Sequence, residues 1–132
     1  MGFVPENKEI KTIAQAREMN PLVLAYIGDA VHSLYSRMKF SMQSTLKAHA
    51  IHMQVSDEVK AKSQASKMLS IKNSLTDEEL GIYHRARNSH VNNIAKNASV
   101  TEYLEVTGYE AVIGFLYITG QNDRLLEILG ND

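Results

Sequence analysis

The sequence has no cysteine, and no linker rich in proline, glycine or serine interrupts its 132 residues. Without cysteine, disulfide bonds and thiolate metal sites are excluded, and a reducing compartment is favoured. No apolar run reaches the roughly 20 residues that a membrane span needs, and the first residues lack the pattern of a secretory signal. We therefore expect a cytosolic protein without a membrane partner. The length predicts one domain over residues 1–132, in which residues 1–19 form an N-terminal lead-in segment.

A strong net charge is also missing, because the formal charge at pH 7 is −1. This average conceals a separation of the two signs along the chain. Residues 59–76 contain four lysines and no acid, residues 80–101 contain three cations and no acid, and residues 102–132 contain six acids against one arginine. Segregated charge of this kind permits a polyanionic partner even when the total is near zero.

Apolar residues with a period of 3.6 predict an all-α fold of six or seven helices. Asn20 is the expected N-cap, and Pro21 is the expected first residue of a helix that ends near Met38. Residues 45–73 are predicted to be helical, as one long helix or as two with a break near Ser56 and Asp57. A further helix is expected from the capping box at Thr76 and Glu79 to about Ser89, and a loop is expected from Asn88 to Ser99. A second capping box, at Ser99 and Glu102, is expected to begin a central buried helix. The last expected element is an amphipathic helix from Asn122 to Leu129.

Two acids lie in helical segments that are otherwise apolar. Asp29 lies in "LAYIGDAVHSLY", and Glu110 opens the run "EAVIGFLYI". A buried, ionised carboxylate needs hydrogen bonds, a cation or a metal, so both acids are expected to have a partner. Gly28 precedes Asp29, and Gly114 follows Glu110 by one turn, which favours a close crossing of the two helices. Both carboxylates would then meet in one cleft.

The expected cleft has two interpretations. Two adjacent carboxylates repel each other unless a cation lies between them, and Mg²⁺ accepts one or two carboxylates while keeping several waters. The alternative is that each acid is a structural group satisfied by hydrogen bonds. His32, one turn beyond Asp29, could contact the surroundings of the site. His49 and His52 have a spacing that suits a metal, but without a third ligand nearby they are expected at the surface or at an interface.

Several segments resemble a known family. "NPLVLAYIGDAVHSLYSR" is similar to the signature helix of ribonuclease III domains, and "TGYEAVIGFLYITG" is similar to their second catalytic helix. "VKAKSQASKML" and "YHRARNSHVNN" resemble internal segments of the short form of the family, Mini-ribonuclease III. The resemblance covers about Asn20 to Leu129. It implies an all-α ribonuclease III domain without the double-stranded-RNA-binding domain of the long form.

The resemblance implies that Asp29 and Glu110 are catalytic residues that bind metal. The long form carries a further Glu four residues before this Asp and a further Asp three residues before this Glu. Here those positions are Ala25 and Thr107. Fewer protein oxygens imply more water around the bound metal, and the number of metals stays open.

The implied activity is Mg²⁺-dependent hydrolysis of double-stranded RNA, which leaves a 5′-phosphate and a 3′-hydroxyl. The resemblance further implies a homodimer with one active site per subunit and a precursor of 23S ribosomal RNA as substrate. It leaves room for a ribosomal protein that helps to present the RNA. Apolar residues around much of the helix Pro21–Met38 also favour a partner subunit.

A-form RNA is recognised mainly through its phosphates and 2′-hydroxyls, which suits basic and small polar side chains. The predicted RNA-binding residues are Arg85, Arg87, Asn88, Lys96, Lys62 and Gln64. The alternative for the lysines of residues 59–76 is a solvated helix face. Two other functions stay open: a catalytically inactive ribonuclease III fold that binds structured RNA, which Ala25 and Thr107 allow, and a helical interaction protein without RNA, which the near-neutral charge allows.

Overall fold

The computed structural model describes residues 10–43, 47–89 and 100–130. These parts of the chain contain helices and no strand, so the predicted all-α fold is confirmed. The α-helices within them are α1 (Ile13–Glu18), α2 (Pro21–Gln43), α3 (Ala48–Val59), α4 (Ala61–Ile71), α5 (Asp77–Asn88), α6 (Val100–Ile118) and α7 (Asn122–Gly130), and a 3-10 turn at Lys72–Ser74 follows α4. In the described ranges, every helix is too short or too polar to cross a membrane.

The start of α2 is the one that the sequence predicted. The Asn20 Oδ1 accepts a hydrogen bond from the backbone N–H of Leu22 at 2.9 Å, and Pro21 is the first helical residue. The helix continues to Gln43, five residues beyond the predicted end at Met38. No glycine or proline interrupts the sequence between these two positions, so nothing in the local chemistry ends the helix at Met38.

Residues 48–71 form two helices, and the break lies at Lys60. Lys60 has extended backbone angles, φ −67° and ψ 154°. The predicted break at Ser56 and Asp57 was therefore about one turn too early. Side chains of α4 explain the position, because they bond carbonyls that the last turn of α3 leaves free. The Ser63 hydroxyl donates to the carbonyl of Asp57 at 2.8 Å, and the Gln64 Nε2 donates to the carbonyl of Val59 at 2.6 Å.

Capping boxes begin two of the helices. At α5 the Thr76 hydroxyl accepts from the backbone N–H of Glu79, and the Glu79 carboxylate accepts from the backbone N–H of Thr76, as predicted. The same reciprocal pair, Thr12 and Gln15, begins α1 within the segment that the sequence left as a lead-in. The predicted loop from Asn88 to Ser99 and the capping box at Ser99 lie mostly or wholly outside the described residues.

Helix α6 is the central element of the described fold, with α2, α4, α5 and α7 packed against it. Its buried apolar side chains include Tyr109, Val112, Ile113, Phe115 and Leu116. Between Thr107 and Leu116 every residue is apolar or small except Glu110. Within this stretch the fold therefore places one carboxylate, that of Glu110, at the side of α6 where α2 crosses.

Candidate active site

The two helices that carry the candidate carboxylates cross at two glycines. A Cβ atom on Gly28 would lie 1.7 Å from the carbonyl oxygen of Glu110, and one on Gly114 would lie 1.9 Å from the carbonyl oxygen of Leu24. No side chain fits between backbones at this separation, so both positions need glycine. The close crossing that the paired glycines predicted is confirmed, and it joins the Gly28–Asp29 step of α2 to Glu110 of α6.

The two carboxylates differ in their exposure. Glu110 is half-buried, whereas the side chain of Asp29 is exposed. The apolar segment around Asp29 suggested a buried carboxylate, but the structure places this side chain at the surface of the single chain. Successive helical residues point about 100° apart, so Gly28 faces α6 while Asp29 points to the open side of the crossing. There it lies at a shallow depression lined by Tyr26, Ile27, Leu34 and Tyr117, among others.

The two carboxyls influence each other electrostatically. Burial raises the pKa of the Glu110 carboxyl to about 8, and the hydrogen bond and negative charge of Asp29 act in the same direction. A hydrogen bond from Gln64 acts against this increase, because it stabilises the ionised carboxylate. Two carboxyls that cannot both ionise at neutral pH gain most from a positive ion between them.

Gln64 on α4 is the third polar side chain at this place. It is only 4% exposed, and its amide hydrogen-bonds both the carbonyl of Val59 and the carboxylate of Glu110. Its Oε1 is buried and accepts no hydrogen bond from any described residue. The sequence grouped Gln64 with the RNA-binding residues, but the structure places it in the interior, beside Glu110.

The donor set fits a hard divalent cation. Asp29 and Glu110 supply carboxylate oxygens, and Gln64 donates a hydrogen bond to the Glu110 carboxylate. Oxygen ligands with one or two carboxylates are typical of Mg²⁺. Among the described residues, no group of three or more His, Asp or Glu side chains could hold a metal, so water has to complete the coordination.

The positions that hold carboxylates in the long form of the family contribute no ligand here. Ala25 is buried, and the hydroxyl of Thr107 donates to the carbonyl of Tyr103 in its own helix at 2.9 Å. His32 is also buried, with its ring edge-on to Tyr109 at 5.6 Å between centroids. Burial lowers the pKa of His32, so the imidazole is neutral at pH 7. His49 and His52 are exposed on α3.

Arg85 and Arg87, which the sequence assigned to RNA, have protein partners. The Arg85 guanidinium donates to the backbone carbonyls of Arg17 and Met19 at the end of α1. The Arg87 Nε donates to Glu105 Oε1 at 3.1 Å, and the hydroxyl of Tyr83 donates to Glu105 Oε2 at 2.6 Å. Glu105 is buried, so Arg87 compensates a charge that would otherwise be costly. Sequence reasoning missed this pair because its members lie 18 residues apart, on α5 and α6.

The other predicted RNA-binding residues are placed differently. Lys62 is exposed in the first turn of α4, two residues before Gln64, and Asn88 is exposed at the last residue of α5. Lys96 lies outside the described residues. Lys62 shares α4 with buried Gln64, but it lies two residues away and points to the other side of the helix.

An apolar face of α2 lies open beside the candidate site. Tyr26 is 81% exposed and Met42 is 80% exposed, and Val23, Leu34 and Met38 are also exposed. Val23, Tyr26, Leu34 and Met38 lie on one side of the helix, because their spacings of three, eight and four residues are close to whole helical turns. This is the apolar excess that the sequence showed in the segment Pro21–Met38.

Comparison with known proteins identifies relatives over nearly the whole chain. The family model described as Ribonuclease III domain matches residues 22–121. Mini-ribonuclease 3 of Thermoanaerobacter sp. (strain X514) is 42% identical over 129 residues, which cover 98% of this chain and 90% of that protein. Mini-ribonuclease 3 of Clostridium tetani is 40% identical, with 86% of this chain and 76% of that protein covered.

A solved structure agrees with the sequence comparison. The crystal structure of a protein from Fusobacterium nucleatum is 30% identical in sequence and superposes with a TM-score of 0.78. The match covers 87% of this chain and 92% of that one. The family match includes all of α6 and all of α2 except Pro21, and therefore both candidate carboxylates.

Proposed function

The chain belongs to the ribonuclease III family, and we propose that Asp29 and Glu110 are the metal ligands of its catalytic centre. Members of this family are endoribonucleases that act on double-stranded RNA, and this chain is one of them. The observation that carries the proposal is the crossing at Gly28 and Gly114, which brings the two carboxyls close enough for Asp29 to raise the pKa of Glu110.

Each carboxylate has a stated task in the proposed mechanism. Asp29, on the open side of the crossing, and half-buried Glu110 would hold the ion together. When bound, Mg²⁺ would supply Lewis-acid stabilisation of the charge on the phosphate and would make water a better nucleophile at neutral pH. Glu110 has to release its proton before it can ligate. Neither carboxylate is assigned a proton-transfer step.

We propose that the substrate is a precursor of 23S ribosomal RNA and that cleavage leaves a 5′-phosphate and a 3′-hydroxyl. A ribosomal protein that presents this RNA to the enzyme is compatible with the proposal. The names of the relatives support this assignment only as far as the enzyme class. Exposed Lys62 and Asn88, together with Lys96, are the proposed contacts to RNA phosphates and 2′-hydroxyls. Arg85 and Arg87 would contact RNA only with the part of each guanidinium that their protein partners leave free.

We propose that a second copy of the chain covers the apolar face of α2. Tyr26 is the largest exposed side chain on this face, and a contiguous apolar surface of this kind marks an interface. The face adjoins Asp29, so a dimer built on it would bring two active sites close to a shared twofold axis. Such an axis suits a duplex, whose two strands are related by local dyads.

An inactive RNA-binding module is the second candidate function. It is favoured by Ala25 and Thr107, which leave two carboxylates where the long form of the family has four. This candidate predicts duplex binding without cleavage.

One assay separates the candidates. The purified protein is incubated with a long RNA duplex, with and without Mg²⁺, and both cleavage and binding are measured. We expect cleavage only when Mg²⁺ is present. Binding without cleavage at every Mg²⁺ concentration would establish the inactive module, and the absence of both would leave a helical interaction protein.

A further inference from the structure

Gln64 is held in one orientation at the candidate site. A backbone carbonyl only accepts hydrogen bonds, so the contact of 2.6 Å to the carbonyl of Val59 fixes Nε2 as the atom that faces it. The same amide group hydrogen-bonds the carboxylate of Glu110. With Nε2 directed to these two acceptors, Oε1 is left on the other side of the carboxamide.

The position of Oε1 is costly for the free protein. The side chain is 4% exposed, and its oxygen is buried without a donor among the described residues. A buried acceptor without a hydrogen bond destabilises the fold, whereas an apolar side chain of similar size would not. A donor that arrives with a ligand would remove this cost.

The surroundings have room for water. Gln64 lines a cavity of about 560 Å³ that also contacts Glu58, Lys67 and His32. A cavity of this size can hold ordered water, and each buried water needs two or more polar partners. Asp29 and Glu110 are not among its lining residues, so water in it would contact Gln64 and not the carboxylate pair.

We propose that Gln64 is a positioning residue of the metal centre. Its Nε2, which is held by the carbonyl of Val59, would orient the Glu110 carboxylate for the ion. This inference rests on the proposed function of Asp29 and Glu110. Outer partners that orient a ligating carboxylate change metal affinity by about 10-fold to 100-fold when they are removed.

A purely structural role makes a different prediction. If Gln64 serves only to cap the end of α3 through Val59, its loss lowers the thermal unfolding temperature and leaves metal affinity unchanged. Metal affinity measured on folded protein without RNA therefore separates the two roles.

The test titrates Mg²⁺ and Mn²⁺ into purified Gln64→Leu by calorimetry. We expect the dissociation constant to rise by about 10-fold to 100-fold, while circular dichroism shows an intact helical fold. Cleavage of a long duplex should recover at high Mg²⁺ concentration, because the ligands themselves remain. Gln54→Leu is the matched control: Gln54 is exposed and lines the same cavity, and its loss should leave the dissociation constant unchanged.

Each other outcome has a defined meaning. If Gln64→Leu does not fold, Gln64→Met takes its place, because it keeps a similar length without either polar atom. An unchanged dissociation constant in the folded variant overturns the inference, as does failure of both variants to fold. If the Asp29→Asn variant binds metal as tightly as the wild type, the proposed function itself is contradicted. This measurement needs no Gln64 variant, so the two failures can be distinguished.

Discussion

At the scale of single residues, the carboxyl pair can be altered without changing its volume. Asp29→Asn and Glu110→Gln each remove a proposed metal ligand. Loss of a residue that only hydrogen-bonds a ligand costs up to about 100-fold, so loss of the ligand itself should lower the rate of duplex cleavage in Mg²⁺ by more than this. Loss of the repulsion between the two acids should leave the metal-free unfolding temperature unchanged or higher. Cleavage assays and thermal unfolding check the two parts. Near-normal cleavage by either variant would refute the assignment.

The raised pKa of Glu110 predicts that metal binding depends on pH. Without metal, the carboxyl keeps its proton up to about pH 8, so an ion has to displace that proton. The apparent affinity for Mg²⁺ should therefore increase with pH and level off above about pH 8. Since the pKa in the folded state is above the unfolded value of 4.5, the folded state binds more protons, and metal-free stability should fall as pH rises between these values.

Proton release measures this effect directly. Calorimetric titrations in two buffers with different ionisation enthalpies should show release of part of a proton per ion at pH 7. Glu110→Gln has no carboxyl to deprotonate and should show none at this position. An affinity that does not change between acidic pH and pH 8 would contradict the raised pKa.

The sequence indicated both candidate carboxylates and the close helix crossing at the two glycines, because these features belong to short local motifs. It did not predict the exposure of Asp29, since burial depends on which side of α2 faces α6. It also missed the partners of Arg85 and Arg87, which lie on helices distant in sequence. Charge and spacing identify cations, but only the fold decides whether a cation is already paired.

At the scale of helices, the crossing of α2 and α6 predicts a large difference between equivalent substitutions. Gly28→Ala places a methyl group 1.7 Å from the Glu110 carbonyl oxygen, so the helices must separate. We expect a loss of about 3 kcal/mol or more in the free energy of unfolding, together with loss of cleavage. Gly81→Ala is the matched control, because nothing lies within 4 Å of its Cβ on α5. It should stabilise by up to about 1 kcal/mol. Urea unfolding of both variants gives the comparison, and equal effects would contradict the crossing.

Helix starts were predicted better than helix ends. Thr76 with Glu79 and Asn20 with Pro21 cap their helices through contacts within three residues, which the sequence shows. The break at Lys60 depends on Ser63 and Gln64 of the next helix, which bond carbonyls of the preceding one. The first helix was missed because its six residues are too few to show a period.

At the scale of the whole molecule, the exposed face of α2 predicts a dimer. Tyr26→Ala removes the most exposed aromatic side chain of this face and should weaken association by about 2 kcal/mol, as expected for a central anchor. Sedimentation at micromolar concentration should show dimers for wild type and a shift towards monomers for the variant. Leu69→Ala, an equally simple truncation of an exposed side chain on α4, should not change the assembly. A wild-type monomer with full activity would contradict the dimer.

The charge distribution of the whole molecule predicts how RNA affinity responds to salt. Lys62 is exposed in the first turn of α4, and it is the predicted RNA-binding lysine that the structure describes. Lys62→Ala should weaken duplex binding and reduce the slope of log affinity against log salt by somewhat less than one, the effect of one lost phosphate contact. Arg85 and Arg87 are less suitable, because their loss also removes contacts to α1 and to buried Glu105.

Lys60→Ala is the control for this salt measurement, since Lys60 lies two residues away and has Asp57 as a partner at 3.6 Å. Its loss should leave the slope unchanged, because an ion pair within the protein releases no counterion from RNA. Binding curves at several salt concentrations, recorded without Mg²⁺ to prevent cleavage, give both slopes. If the two variants have the same slope as wild type, the first turn of α4 lies outside the RNA interface. The proposed contacts would then have to come from the end of α5 and from Lys96.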